Sequence, residues 1–245
     1  MIAMEIMDQG IGLALSLSII ALGALIQGCM GIGLGIVSVP VLALLAPQLL
    51  PGPILVATLL LTALAWHREW NAAIYRDLGW AFVGRLPGTF LGGLVVALGS
   101  APLITALTGG MILTAVGLTA LGRRFEPHPL SLLMGGFFSG FMGTTSAVGG
   151  PPIALVYQHA DPARVRSSLA AYFTLGGVIS LAVLAWFDRF GWRELGLGLL
   201  LAPPVLAGFF LSSRFVHGLP PHFRHALLIL SALGGAFLTV KPLLS

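Results

Sequence analysis

The chain has 245 residues, of which 57% are hydrophobic and only 8% are charged, whereas an ordinary soluble domain carries about 25% charged residues. With a mean hydropathy of +1.00, it has too few polar side chains to cover a water-exposed surface, so composition excludes a soluble globular protein. The net charge of +4 comes from scattered Arg residues, which argues against a nucleic-acid partner. The single cysteine, Cys29, excludes an intramolecular disulfide or a metal site built from several thiolates.

The first apolar stretch is long enough for more than one membrane crossing. No Asp, Glu, Lys or Arg occupies the 59 positions between Asp8 and Arg68, and one crossing needs only about 20 residues. Glu5 and Asp8 precede the apolar run, and no small-residue cleavage site closes it, which is atypical of a signal peptide. We therefore expect two or three crossings here, with the first helix retained.

Charged residues divide the rest of the chain into further apolar segments. These segments are Pro51–Trp66, Leu78–Leu98, Pro102–Leu121, Leu130–Gln158, Ser167–Phe187, Leu195–Ser213 and His225–Val240. The polar, proline-containing residues 123–129 lie near the middle of the chain. We expect an all-α polytopic membrane protein with one integrated membrane domain, formed by a transmembrane repeat over residues 1–124 and another over residues 125–245.

An internal duplication supports this division. With an offset of 112, five of 22 positions are identical between Gly23–Leu44 and Gly135–Val156. The identical pairs are Gly23/Gly135, Gly28/Gly140, Met30/Met142, Gly31/Gly143 and Pro40/Pro152, and at an offset of 116 Pro87/Gly92 match Pro203/Gly208. The sequence thus predicts two homologous four-element repeats, each opening with a helix interrupted by glycines.

Two topologies fit these repeats. If each opening segment crosses the membrane once, seven loop Lys and Arg residues lie on one side of the membrane and four on the other. If each folds back as a helical hairpin, eight lie on one side and three on the other. The positive-inside rule favours the hairpin. A hairpin followed by three crossings leaves the chain on the opposite side, so the two repeats are then inverted.

The glycine-rich segments resemble those of a known family of membrane permeases. They are Gly28-Cys-Met-Gly31-Ile-Gly33-Leu-Gly35 followed by Pro40, and Gly140-Phe-Met-Gly143 followed by Gly149-Gly150-Pro151-Pro152. Supporting pieces are His67 to Trp70, Asp77-Leu78-Gly79-Trp80, Arg85-Leu86-Pro87-Gly88 with Gly92, and Gly191-Trp192-Arg193. In order and spacing they resemble the sulfite exporter TauE/SafE family over almost the whole chain. The resemblance implies transport of small sulfur-containing anions such as sulfite or sulfonates.

The glycine interruptions also predict a binding site on physical grounds. Unwound backbone is tolerated inside a bilayer only where it is buried in protein or lines a polar cavity, and a broken helix presents free N–H groups and a partial positive charge to an anion. The alternatives are close helix packing through Gly31 and Gly35, and hydroxyls bonded to their own i−4 carbonyls. The candidate substrate-binding residues are Gln27, Gly31, Gly33, Gly35, Ser38, Arg85, Gly143, Thr144, Thr145, Ser146, Gly149 and Gly150.

Arg85 is the one basic residue well inside a predicted span. An arginine at mid-membrane costs about 2.5–3.5 kcal/mol on insertion scales, so it must face a partner, a cavity or the interface. It either attracts the anion into the protein or extends its side chain to the headgroup region, since Asp77 is only eight residues away.

The residues that are absent from the spans narrow the function further. All eight acidic residues fall in or beside loops, which disfavours a cation transporter and a metal site. No intramembrane catalytic motif and no nucleotide-binding loop is present, so we expect no enzyme, no cofactor, and energy from an H⁺, Na⁺ or substrate gradient. His67 or His159 could couple protons. The sequence favours a multi-pass secondary transporter of small anions in the inner cell membrane. A permease for small carboxylates and a non-transporting binding or assembly subunit are the alternatives.

Overall fold

The computed structural model describes residues 2–73, 78–121, 126–157, 161–215 and 221–244. Within these ranges the chain forms eleven α-helices, two 3₁₀ turns (Pro47–Leu49 and Trp70–Ala72) and no strand, which confirms the all-α expectation. The helices are α1 Ile2–Met30, α2 Leu34–Leu45, α3 Gly52–Glu69, α4 Leu78–Leu98, α5 Ala101–Leu121, α6 Pro129–Ser146, α7 Gly150–Tyr157, α8 Pro162–Trp186, α9 Trp192–Leu200, α10 Ala202–Ser212 and α11 Pro221–Leu244. Arg76, Asp77, Arg123, Arg124, His159 and the boundary between residues 124 and 125 lie outside the described ranges.

Several of these helices are long and apolar enough to cross a membrane. Among the described residues, four satisfy both conditions: Gly12–Met30, Leu78–Leu98, Ala101–Ala120 and Pro162–Trp186. The segment expected as one span over Leu195–Ser213 is instead two helices, α9 and α10, bent by 43°. Pro203 and Pro204 begin α10, and prolines there cannot donate the hydrogen bonds that would continue α9. Counted together, this bent pair gives a fifth candidate span.

The first glycine break turns the chain back on itself. Gly31 has φ +83° and Gly33 has φ +154°. Residues other than glycine rarely adopt such positive φ angles. The Leu34 N–H donates to Gln27 Oε1 at 3.0 Å, and the Ser38 hydroxyl donates to the Ile19 carbonyl at 3.1 Å. Later residues of α2 therefore contact earlier residues of α1, so α1 and α2 form an antiparallel helical hairpin.

The second break has the same form in a different sequence. α6 ends at Ser146, and the next residue, Ala147, has φ +61° and donates its N–H to the Gly143 carbonyl at 2.9 Å. Gly149 then lies against Gly143, whereas Gly135, near the start of α6, faces Pro152 and Val156 of α7. α7 thus runs back along α6. Both opening segments therefore fold back on themselves as antiparallel helical hairpins.

The helices of the first half pack mainly against those of the second. The principal pairs between them are α4 with α6, α1 with α10, α3 with α8 and α5 with α11, and smaller contacts join α3 with α9, α4 with α8, α2 with α11 and α5 with α7. The two halves therefore pack against each other along most of their helices.

The pairing of α4 with α6 depends on glycine. Methyl groups at three glycines of α4 would overlap main-chain carbonyls of α6, and methyl groups at two glycines of α6 would overlap carbonyls of α4. The α4 positions are Gly84, Gly88 and Gly92, and the α6 positions are Gly136 and Gly140. Such close approach of backbones is how membrane helices associate without large side chains. It brings Arg85 of α4 beside Ser139 and Gly140 of α6.

Large apolar side chains cover the outside of the bundle. Exposed examples occur along α4 (Val83, Leu86, Phe90) and along α11 (Ile229, Leu233, Phe237). Trp186 and Trp192, at the end of α8 and the start of α9, are 82% and 89% exposed. Apolar sides with tryptophans at helix ends are typical of a surface that contacts lipid.

Candidate functional site

A cavity lies where the two hairpins meet. Its volume is about 40 Å³, enough for two or three waters or a small ion. The lining residues come from both hairpins, α3, α4 and α8: Gln27, Ile32, Gly33, Gly35, Ile36, Leu55, Thr58, Arg85, Gly143, Ala147, Val148, Gly149, Gly150, Phe173 and Gly177. The N-termini of α2 and α7 are both part of this lining, so the positive ends of two helix dipoles contact the cavity.

The tips of the hairpins touch each other. A methyl group at Gly35 would overlap the Ala147 carbonyl, and a methyl group at Gly150 would meet the Ile32 side chain. The two glycine segments therefore face each other inside the protein and are not directed toward lipid. Backbone that is not helical at this position is buried in protein, as the bilayer requires.

Arg85 is the charged residue of the cavity. Its side chain is only 3% exposed, so it does not extend to the headgroup region, and the interfacial alternative is wrong. The close packing of α4 on α6 holds the residue inward. Arg85 Nη1 donates to Ser139 Oγ and Nη2 donates to Ser180 Oγ, each at 3.4 Å. The guanidinium carbon lies 4.8 Å from the centre of the Tyr172 ring, within the range of a cation–π contact.

No carboxylate compensates this charge in the described part of the chain. The ion pairs found there join Glu69 to Arg68 and Arg166, and Asp161 to Arg164, and none of these residues lines the cavity. Arg85 Nε is buried without a hydrogen-bond partner. A buried charge normally has an ionic partner because desolvating it is costly. The cavity therefore presents an uncompensated positive charge together with neutral donors, which is the chemistry of an anion site.

Several residues around Arg85 were not predicted from sequence. Ser180 accepts a hydrogen bond from the Thr144 hydroxyl at 2.9 Å as well as from Arg85. Gly176 leaves the space that the guanidinium occupies, since a methyl group there would overlap it. Tyr172 supplies the ring beneath it. The Gly176-Gly177 pair in the middle of an apolar helix is the sequence signal that could have indicated this contact.

The predicted site residues divide into three groups. Seven line the cavity: Gln27, Gly33, Gly35, Arg85, Gly143, Gly149 and Gly150. Thr144 is linked to Arg85 of the lining through Ser180, which accepts a hydrogen bond from each of them. The other four are occupied elsewhere. Gly31 packs against Arg166, Ser38 bonds to Ile19, Thr145 bonds to the Gly92 carbonyl at 3.5 Å, and Ser146 bonds to its i−4 carbonyl on Met142 at 2.8 Å.

The family model described as "Sulfite exporter TauE/SafE" matches residues 15–238. The chain belongs to this family. Searches of curated proteins and of solved structures give no match. TauE/SafE proteins are transporters, so this chain is a multi-pass membrane permease of the anion-exporter type and not an enzyme. The buried, uncompensated arginine of this TauE/SafE chain agrees with an anionic substrate.

Proposed function

We propose that the chain is a secondary transporter of small sulfur oxyanions or sulfonates, with sulfite as the leading candidate. The bound anion lies in the cavity between the two hairpin tips and contacts Arg85 and the N-termini of α2 and α7. The protein alternates access to this cavity between the two sides of the inner cell membrane. The observation that carries the proposal is Arg85, which is buried beside the cavity without a described carboxylate partner.

The neutral donors favour a small oxyanion over a larger ligand. The cavity has little volume, and its lining combines glycines of both hairpins with Gln27, Thr58 and Arg85. An oxyanion can accept several hydrogen bonds at once from such groups. Glycine at Gly33, Gly35, Gly149 and Gly150 allows the main chain to approach the anion closely.

Helix packing supports two inverted repeats that meet at the cavity. We match α1 to α5, in order, with α6, α7, α8, α9/α10 and α11. Exchanging the two halves then converts each contacting pair of helices into another contacting pair: α4–α6 becomes α10–α1, α3–α9 becomes α8–α4, and α2–α11 becomes α7–α5. The pairs α3–α8 and α5–α11 are unchanged by the exchange. This pattern is that of a two-fold axis between residues 1–124 and 125–245. Because a hairpin precedes three crossings in each half, the repeats would have opposite orientations.

An ion gradient of H⁺ or Na⁺, or the substrate gradient, would drive transport. Among the described residues, no group of three His, Cys, Asp or Glu side chains is placed to hold a metal ion. The cavity lining contains no acidic residue and no histidine. Any proton coupling would therefore use groups outside this lining, or a proton carried by the substrate itself.

Anion flux in proteoliposomes tests the proposal. Sulfite efflux is recorded for the parent protein, for Arg85→Gln and for Arg189→Gln. Arg189 is an exposed arginine that donates to the Ala97 carbonyl outside the cavity, which makes it a matched control. We expect flux to be lost in Arg85→Gln and retained in Arg189→Gln.

A thermal-shift screen of the purified protein identifies the substrate class independently of flux. Sulfite, sulfate, thiosulfate, methanesulfonate and acetate are compared at equal ionic strength. Stabilisation by the sulfur anions in the parent protein, absent in Arg85→Gln, supports the proposal. Stabilisation by acetate alone, or sulfite flux that is unchanged in Arg85→Gln, would contradict it.

A further inference from the structure

Two clusters of different chemistry lie at the two ends of α3 and α8, beyond the cavity that these helices line. These helices run antiparallel: Glu69 of α3 meets Ser167 of α8, and Leu59 lies near Gly177. Both contribute to the cavity, through Leu55 and Thr58 of α3 and Phe173 and Gly177 of α8. Their two ends therefore lie on opposite sides of the cavity.

At one end the contacts between α3 and α8 are ionic. The Arg166 guanidinium donates to both carboxylate oxygens of Glu69, with N–O distances of 2.8 to 3.3 Å. The Ser167 hydroxyl donates to the Glu69 main-chain carbonyl at 2.6 Å. We call Arg68, Glu69, Arg166 and Ser167 the Glu69 cluster. Both charged side chains of the pair are largely buried, with exposed fractions of 13% for Arg166 and 18% for Glu69, so water screens their interaction only partly.

Arg68 extends the Glu69 cluster to the first hairpin and to α10. Its Nη2 donates to the Gly28 carbonyl at 2.8 Å, and its Nη1 donates to Ser212 Oγ at 3.3 Å. Its guanidinium carbon lies 4.7 Å from the centre of the Phe209 ring. Gly31, at the turn of the hairpin, packs against the Arg166 backbone. The cluster thus joins α1, α3, α8 and α10 beside the turn between α1 and α2.

The Glu69–Arg166 pair is the one ion pair between the two halves among the residues that the structure describes; the others join residues at most three positions apart. At about 1.5 Å per residue, Glu69 lies about 16 Å along α3 from Thr58, and Arg166 lies about 10 Å along α8 from Phe173. The pair is therefore near the cavity without being part of its lining.

At the other end the contacts are apolar. Leu55, Val96 and Leu184 form a buried cluster with Ala147, Leu181 and Phe190. Leu55 and Ala147 of this cluster also line the cavity. No charged residue belongs to it. Separating these side chains exposes apolar surface only, whereas opening the opposite end breaks charge-assisted hydrogen bonds.

We propose that the Glu69 cluster is the gate on one side of the transporter and that the apolar cluster around Leu55 is the gate on the other. The charged gate is on the side where the hairpin topology places eight of the eleven loop Lys and Arg residues, which the positive-inside rule assigns to the cytoplasm. This inference rests on the proposed transport through the cavity, but it does not depend on the identity of the anion.

Accessibility of a cysteine in the cavity tests the gate without using substrate. Thr58 lines the cavity and becomes the reporter as Thr58→Cys in a Cys29→Ala background. A membrane-impermeant, negatively charged methanethiosulfonate is applied from each side of oriented vesicles. We expect Glu69→Gln to raise the labelling rate from the cytoplasmic side by about tenfold, the change in open population that loss of one charge-assisted hydrogen-bonded pair would give. Labelling from the opposite side should not rise.

Asp161→Asn is the matched control. It removes a carboxylate at the same end of α8, but its pair with Arg164 is exposed and lies within one helix turn. We expect Asp161→Asn to be labelled at the same rate as the parent reporter. The double variant Glu69→Arg/Arg166→Glu, which reverses the charges of the pair, should restore slow labelling. If Glu69→Gln does not fold, Ser167→Ala removes only one hydrogen bond of the cluster and should raise cytoplasmic labelling to a smaller degree. Unchanged cytoplasmic labelling in whichever of these variants folds, or an equal rise from both sides, would overturn the proposal.

Discussion

Arg166 donates hydrogen bonds to both carboxylate oxygens of Glu69, and this pair joins the end of α3 to the start of α8. The two residues must therefore lie on the same side of the protein. If each opening segment crossed the membrane once, the loop after α3 and the loop before α8 would be on opposite sides. The pair is thus compatible with the hairpin topology alone.

Cysteine labelling of loops checks this topology. In a Cys29→Ala background, Asn71→Cys and Asp161→Cys should react with an impermeant reagent from one side, and Trp192→Cys from the other. All three positions are exposed, and the positive-inside rule places the first two in the cytoplasm. Reaction of Asn71→Cys and Asp161→Cys from opposite sides would contradict the hairpin.

Replacing Arg85 by methionine should stabilise the protein and stop transport. Methionine fills a similar volume without a charge, and replacing buried charges by apolar side chains is often neutral or stabilising, by about 1–4 kcal/mol. Ser139 and Ser180 can then bond to carbonyls of their own helices. Thermal unfolding in detergent should show a midpoint equal to or above that of the parent, and sulfite should no longer raise it. A large fall in the midpoint would show that Arg85 mainly holds the fold together.

Ser180→Ala should weaken binding of the anion without abolishing transport. The substitution removes the acceptor that orients both Arg85 and Thr144, and a single hydrogen bond contributes about 0.5–1.5 kcal/mol. We expect the KM for sulfite to rise about three- to tenfold. Thr174→Ala is the control on the same helix, because that hydroxyl bonds to the Ala170 carbonyl within α8. Equal effects of the two substitutions would place Ser180 outside the site.

Gly35→Ala should separate the hairpin tips. The added methyl group would overlap the Ala147 carbonyl, and overpacking of this kind costs about 1–3 kcal/mol. Transport should fall sharply, with a lower unfolding midpoint. Gly117→Ala is the control, since a methyl group there meets no atom within 4 Å and alanine favours the helix. Full transport by Gly35→Ala would mean that the tips need not touch.

Charge patterning predicted the helices more accurately than it predicted the site. Leu78–Leu98 was predicted with the observed bounds of α4, because the preceding charged residues and the following Gly99-Ser100 are strong local signals. The break at Leu201 was missed because the helix pattern was read through Pro203. The glycine breaks were located correctly. At the first break Gly31 and Gly33 adopt positive φ, which favours glycine, whereas at the second the positive φ belongs to Ala147 and the glycine signal comes from the close approach of Gly149 to Gly143.

The partners of Arg85 could not be read from local pattern. Ser139 and Ser180 lie 54 and 95 residues away along the chain, and their contacts depend on how α4, α6 and α8 pack. The same dependence explains why Thr145 and Ser146 lie outside the cavity although they follow Thr144 directly. Successive residues of a helix point in different directions, so a run of hydroxyls cannot share one ligand.

The missing carboxylate beside Arg85 has an electrical consequence. An empty cavity leaves a net positive charge within the bilayer, and a monovalent anion cancels it on binding. The membrane potential, about 2.3 kcal/mol per elementary charge for 100 mV, would then act on the return of the empty carrier and hardly at all on the loaded one. Because cell potentials are negative inside, the field favours the inward return of the empty, positively charged carrier, so voltage should accelerate net anion export and hardly affect one-for-one anion exchange.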